Sequence, residues 1–231
     1  MFGKNLKNNT NYLHILAEKY REQDKLIFAK ILNFLAILNY RLNKNYLGLN
    51  NAYQSLVLIY KHQFLLSKNN KFIGLAQKYT EKSLNLSLTK KLTNIHTGYF
   101  RLGEVFMLSN DFPKAIKNYQ KALEIYSKND SEKGDYQYHL GEAQYRNGDK
   151  ENGLKNLLEG LKIIQKYQSL TDSFLIHVWE SGCYMRLAEL LIIDDRKKAQ
   201  EYLKLAQKII QSDNKLIIRR RQFQKLAQEF K

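Results

Sequence analysis

The sequence reads as an all-α array of α-α hairpins, about eleven helices long, and three observations carry that reading. Apolar residues recur at 3-4-3-4 spacing. Between Asp111 and Ile125 they fall at Phe112, Ala115, Ile116, Tyr119, Ala122 and Leu123, one stripe of a helix with no strict alternation. Helix breakers are scarce: one Pro and 11 Gly in 231 residues. Where the periodicity stops, short polar runs replace it, at Ser67–Asn70, Ser109–Asp111, Lys128–Ser131, Asn147–Asp149, Thr171-Asp172, Asp194-Asp195 and Ser212–Asn214. Their Ser, Asn and Asp side chains can accept bonds from the free N–H groups of the next helix. Pro113, two residues after Asp111, falls in a first turn, where a missing N–H costs nothing.

Taken in order, Tyr12–Tyr20 and Glu22–Asn39 form an opening hairpin, with stripes Leu13, Leu16, Ala17 and Phe28, Leu32, Leu35. Longer hairpins follow. Asn214–Phe230 closes the chain as a capping helix whose Leu216, Ile217, Phe223 and Leu226 cover the last unit. A single domain, 1–231, is expected, with the opening hairpin in 1–45, repeats in 46–211 and the cap in 212–231.

Composition sets the outer limits. Hydrophobic residues at 44% and aromatics at 12% imply a folded core and exclude wholesale disorder. A lone cysteine, Cys183, excludes an internal disulfide framework and reads as a buried, inert thiol. The most apolar stretch, Leu26–Leu38, is interrupted by Lys30 and Asn33 and is too short to span a bilayer. No signal peptide is visible at the N-terminus, so a cytoplasmic protein is expected.

The formal net charge of +16 favours contact with nucleic acid, anionic membrane or acidic proteins. The excess is nearly all Lys, however, and Lys, Asn, Tyr and Ile are enriched together, as an AT-rich coding sequence would produce without selection for charge. Specific phosphate readers tend to use Arg. The densest basic stretch holds Lys215, Arg219, Arg220, Arg221 and Lys225, a candidate nucleic-acid patch or simply the solvated face of a last helix.

The hairpins repeat. Tyr99-Phe-Arg-Leu-Gly-Glu-Val-Phe106 is followed by Phe112, Ala115, Tyr119, Ala122 and Leu123. Gln137-Tyr-His-Leu-Gly-Glu-Ala-Gln-Tyr145 is followed by Gly153, Leu157, Gly160 and Leu161. Tyr184-Met-Arg-Leu-Ala-Glu-Leu-Leu191 is followed by Ala199, Leu203 and Ala206. In each, Leu precedes a small residue on the first helix, and small residues recur seven apart on the second. Small side chains at a crossing let paired helices approach, while Leu and Tyr fill the space beside them.

These residues resemble the tetratricopeptide repeat, whose signature runs W-x2-L-G-x2-Y, then A-x3-F-x2-A. Tyr99, Leu102, Gly103, Phe106, Ala115, Tyr119 and Ala122 match it, with Tyr in place of Trp. A weaker match begins at Tyr53-x2-Leu56-Val57-x2-Tyr60 and runs through Ala76 to Leu84. The small residues are 46, 38 and 47 apart, longer than the usual unit of about 34. The resemblance covers Tyr53 to Ile210 and implies a TPR-like helical solenoid.

Nothing in the chain matches a catalytic or metal-binding pattern. The five His (His14, His62, His96, His139, His177) lack metal-ligand spacing, and no Gly-rich phosphate loop is present. Carboxylates are expected at solvent-facing helical positions. The reading is therefore of a non-enzyme without cofactor or metal.

One pattern stands out. Arg101 and Glu104, His139 and Glu142, and Arg186 and Glu189 each set a basic residue three before a Glu, neighbours on one helix face. The resemblance implies that first helices line a concave groove, so these pairs would form charged ladders above a floor of Phe100, Tyr138, Tyr145, Met185 and Ile192. That arrangement suits a protein or peptide segment laid along the groove; the alternative is that the pairs only solubilise a surface.

The family also includes co-chaperones that clamp a heat-shock chaperone's C-terminal carboxylate with Lys, Asn and Arg. Here those sites hold Phe100, Glu104, His139 and Gly182, only Arg186 matching, so that reading is disfavoured. Two other functions stay open: a small-peptide signalling receptor that changes conformation on binding, and a basic nucleic-acid accessory protein.

Overall fold

The computed structural model describes the backbone from Gly3 onward and side chains from Tyr12 onward. Every long element among the described residues is helical: α1 (Gly3–Glu22), α2 (Leu26–Leu42), α3 (Tyr46–Ser67), α4 (Lys71–Thr89), α5 (Ile95–Leu108), α6 (Phe112–Ile125), α7 (Ser131–Arg146), α8 (Lys150–Lys166), α9 (Ser173–Leu191), α10 (Arg196–Ser212) and α11 (Ile217–Gln228). Two compact units result. One contains α1 to α6 and ends at Ile125; the other begins at Tyr126 and contains α7 to α11. In the first, α1 pairs with α2, α3 with α4 and α5 with α6. In the second, α7 pairs with α8 and α9 with α10, while α11 lies on both α9 and α10.

Helix starts lie where the polar runs predict them. Asp130 accepts from the N–H groups of Glu132 and Lys133, Asp149 from Asn152, Asp172 from Phe174 and Asp195 from Lys198. Helix ends share a second device. Asp24, Lys44, Lys68, Lys91 and Asn110 all take left-handed φ of 50° to 62°, as does Gly148 at 100°. The residue after the turn then donates back across it: Lys25 N–H to the Tyr20 carbonyl, Asn45 to Tyr40, Leu92 to Ser87 and Asp111 to Phe106, all at 2.9 Å. These bonds satisfy carbonyls that the helix end leaves free. Three of the turns carry Lys, which tolerates this backbone poorly; of these only Lys68 falls in a polar run, Ser67–Asn70, that marked a break in the sequence.

The small residues act as the pattern suggests. A Cβ on Gly103 would enter the Tyr119 ring of α6. A Cβ on Gly160 would stand 2.6 Å from the Tyr138 backbone nitrogen, so α7 and α8 meet backbone to backbone. Around these crossings the first unit buries Leu56, Val57, Ile59 and Tyr60 of α3 with Ala29, Ile37 and Tyr40 of α2. The second buries Tyr138, Leu157, Ile164 and Leu187 in one cluster, and Met185, Ile210, Leu216 and Leu226 in another.

Two expected faces differ. On α2 the stripe Phe28, Leu32, Leu35 was expected inside, yet Phe28 and Leu35 are exposed and Leu26, Ala29, Asn33, Ala36, Ile37 and Tyr40 are buried. The helix is apolar on nearly every side, so periodicity could not select a face. Small Ala29 and Ala36, with Asn33 donating to the Ala52 carbonyl at 2.8 Å, allow the close approach to α3. On α11, Ile218 is buried and Ile217 exposed, because two four-residue steps back from Leu226 fall on Ile218.

Candidate partner-binding surface

A first helix in this fold turns its small residue toward its own second helix. The next residue lies about 100° further round, toward the neighbouring first helix. In the Leu–small–Glu triplets Leu102-Gly103-Glu104, Leu140-Gly141-Glu142 and Leu187-Ala188-Glu189, that next residue is the glutamate. A further copy, Leu16-Ala17-Glu18 on α1, had registered in the sequence only as part of an apolar stripe.

Each glutamate reaches across. Glu18 accepts from Arg21 Nη2 at 2.8 Å and from the buried Ser55 hydroxyl on α3. Glu104 on α5 is gripped by Lys61 of α3 and by Arg101. In the second unit four side chains close a ring. Arg146 Nε meets Glu142 Oε1 at 3.0 Å and its Nη2 meets Glu189 Oε1 at 2.8 Å; Arg186 Nη1 meets Glu189 Oε2 at 2.7 Å and its Nε meets Glu142 Oε2 at 3.1 Å. His139 stands beside the ring, 3.9 Å from Glu142 and 3.7 Å from Asp135. Two glutamates and two arginines alternate, so every like charge is separated by an opposite one.

The electrostatics follow from that order. Burial alone would raise the Glu189 carboxyl, but Arg186 and Arg146 outweigh it and hold the group down to about 2. Arg21 does the same for Glu18, also to about 2. Glu142 and Glu189 raise Arg186, and both hold Arg146 up against its own burial.

The predicted pairs therefore exist, with a different depth. Glu104 and Glu142 are only 5% exposed, where solvent-facing carboxylates were expected. Lys61, the interhelical partner of Glu104, and Arg146, which holds Glu142 on its own helix and reaches across to Glu189, were missed. The available signal is that each follows a Tyr (Tyr60, Tyr145) near the end of a first helix, where a long cation can reach sideways. Phe100, Tyr138, Tyr145 and Met185, expected on a groove floor, are buried instead. Phe100 packs on Tyr119 with ring centres 5.4 Å apart, and Met185 lies in the cluster beneath α11. Tyr145 donates to Asp194 at 2.6 Å. Ile192 is half-buried. The charged edge that reaches solvent in the second unit is made by Arg186, Glu189 and Arg146.

The basic C-terminal stretch divides. Arg219 Nε donates to the Val178 carbonyl of α9 at 3.1 Å, fitting beside Gly182, and its Nη1 to Gln222. Arg220 reaches the Ile210 and Asp213 carbonyls at the end of α10. Arg221 is half-buried, and burial lowers its pKa. Lys215 and Lys225 are exposed. The expected continuous basic patch is thus mostly spent on fixing α11 in place.

Cys183 is buried, its Sγ 3.6 Å from the Leu157 carbonyl, and burial pushes the thiol well up. Among the described residues no group of three His, Cys, Asp or Glu is placed to hold a metal ion, and no helix is long and apolar enough to cross a membrane.

Comparison with known proteins agrees with this geometry. The family model of the tetratricopeptide repeat matches residues 97–129. The chain superposes on BtubC (BKLC) from P. vanneervenii with a TM-score of 0.64 at 17% identity, covering 90% of this chain and 82% of that one. A kinesin light chain-like protein of Podosopora anserina with nearly identical TPR-like repeats gives 0.57 at 16% identity, covering 87% and 94%. At that identity the likeness speaks for the fold alone. No curated protein matches the sequence. The chain thus carries a tetratricopeptide repeat at α5–α6, residues 97–129, and shares the TPR-like helical-hairpin fold of these structures.

Proposed function

We propose that the protein is a non-enzymatic scaffold that holds a segment of a partner protein against its first helices. Tetratricopeptide repeats generally mediate protein–protein interaction, and one is matched here at residues 97–129. The observation that carries the reading is the α7–α9 ring. It ties two arginines and two glutamates to one another, while leaving the Arg186 and Glu189 side chains about a third exposed, at 33% and 31%. A preorganised edge of both signs loses little entropy on binding and selects a partner by charge order. Nucleic-acid binding through α11 is less well supported, since Arg219 and Arg220 already serve carbonyls of the chain itself.

The test is affinity capture from source-cell lysate, washed at high salt, with the natural chain and with Arg186→Gln. A stoichiometric protein kept by the first and lost by the second, with the variant still folded by circular dichroism, is the expected result. Equal capture by both would remove the α7–α9 edge from the proposal.

A further inference from the structure

The helix α2 presents a face that the scaffold reading does not use. Ile27, Phe28, Ile31, Leu35, Leu38 and Leu42 all lie on the side away from α3, and each is between 48% and 75% exposed. Together they leave on the order of 700 Å² of apolar side chain in water, above the roughly 300–600 Å² of the largest patch on a typical monomer. The face is a ridge about 22 Å long, not a groove, so an occupant must yield to it.

Charge narrows the occupant. From Lys25 through Thr80 the chain contains no Asp or Glu, while Lys25, Lys30, Arg41, Lys44, Lys61, Lys68, Lys71 and Lys78 are cationic. Lys25 and Lys30 flank the start of the ridge and Lys44 its end, while Arg41 donates to the Tyr53 hydroxyl of α3 at 2.7 Å. A second copy packed ridge to ridge would bring these cations together with no carboxylate on the ridge helix itself, the nearest being Asp24 and the Arg21-paired Glu22 just before its start. An anionic bilayer surface does the reverse. It takes the apolar ridge among its acyl chains and the flanking Lys among its phosphates.

We propose that α2 is a membrane-surface anchor: its apolar ridge inserts into the interface of a bilayer bearing anionic lipid, and the flanking cations meet the headgroups. The helix lies in the plane of the surface and does not cross it. The proposal stands apart from the scaffold reading, which uses α7 and α9.

Sedimentation with vesicles tests it, comparing phosphatidylcholine alone with equal parts phosphatidylcholine and phosphatidylglycerol. The full chain should bind the mixed vesicles, and weaken by about tenfold or more when salt is raised or on phosphatidylcholine alone. Ile31→Gln with Leu38→Gln, both at exposed sites, should lose at least about tenfold on mixed vesicles with an unchanged circular dichroism spectrum. Lys25→Gln with Lys30→Gln should weaken binding to mixed vesicles only. If the natural chain stays in the supernatant, or the Ile31/Leu38 variant binds as well as it does, the proposal fails. A dimer in light scattering that the Ile31/Leu38 variant dissolves would also overturn it, in favour of a second copy on the ridge.

Discussion

Arg146 on α7 and Glu189 on α9 meet at 2.8 Å across 43 residues of sequence, and that contact joins two first helices that belong to successive hairpins. Glu104 with Lys61, and Glu18 with Ser55, make the corresponding joins from α5 and α1 to α3. A motif that looks in sequence like three local i,i+3 pairs is, in the folded chain, the charged seam between neighbouring hairpins.

Glu142 is the most deeply placed member of the ring and serves both arginines. Glu142→Gln keeps the shape but leaves Arg146 and Arg186 with one carboxylate between them. It should lower stability by about 2–3 kcal/mol, read as a shift in urea midpoint. Glu124→Gln, on the exposed surface of α6, should change it by less than about 0.5 kcal/mol.

The depressed carboxyls set an acid limb. Glu189 and Glu18 are held at about 2 in the folded chain against an ordinary 4.5. The folded state thus binds fewer protons than the unfolded one in that window. Their contribution is complete above pH about 4.5 and disappears as pH falls toward about 2. With solvent screening, about 1–2 kcal/mol is expected for each. The stability gap between the natural chain and Glu189→Gln should be full at pH 6 and close on acidification; a gap independent of pH would contradict the assignment.

How far the sequence could be read depended on what each position had to specify. Hairpin boundaries were legible because Asp130, Asp149, Asp172 and Asp195 cap locally, and the repeat was legible because Gly103 and Gly160 admit no side chain at their crossings. Depth was not. Arg101–Glu104 has the same spacing whether it lies on a surface or in a seam, and only the approach of Lys61 decides between them. On α2 the periodicity carried no information about direction, since both faces are apolar.

Glycines at the crossings and elsewhere should respond oppositely. Gly160→Ala would press a Cβ against the backbone of Tyr138 and the Gly134 carbonyl, at 2.6 and 2.7 Å, and should cost about 2–3 kcal/mol. Gly74 in α4 has nothing within 4 Å of the same position. Gly74→Ala should therefore stabilise by about 0.5–1 kcal/mol, through better helix propensity. Thermal melts of the two variants check both signs.

The lysines in left-handed turns are a second source of strain. Lys44, Lys68 and Lys91 are exposed and take φ of 53°, 56° and 50°. Lys91→Gly relieves about 1 kcal/mol of backbone strain and returns part of it as unfolded-chain entropy. A net gain of about 0.5 kcal/mol, seen as a rise in melting temperature, is expected.

The seam itself is tested most directly by a double-mutant cycle on Arg146→Ala and Glu189→Ala, measured by urea unfolding of the single and double variants. A tie between first helices predicts a coupling energy of about 1–2 kcal/mol, larger than an exposed pair provides. Additive single effects, with coupling indistinguishable from zero, would mean that Arg146 and Glu189 decorate the surface and that the repeated triplets do not hold the hairpins together.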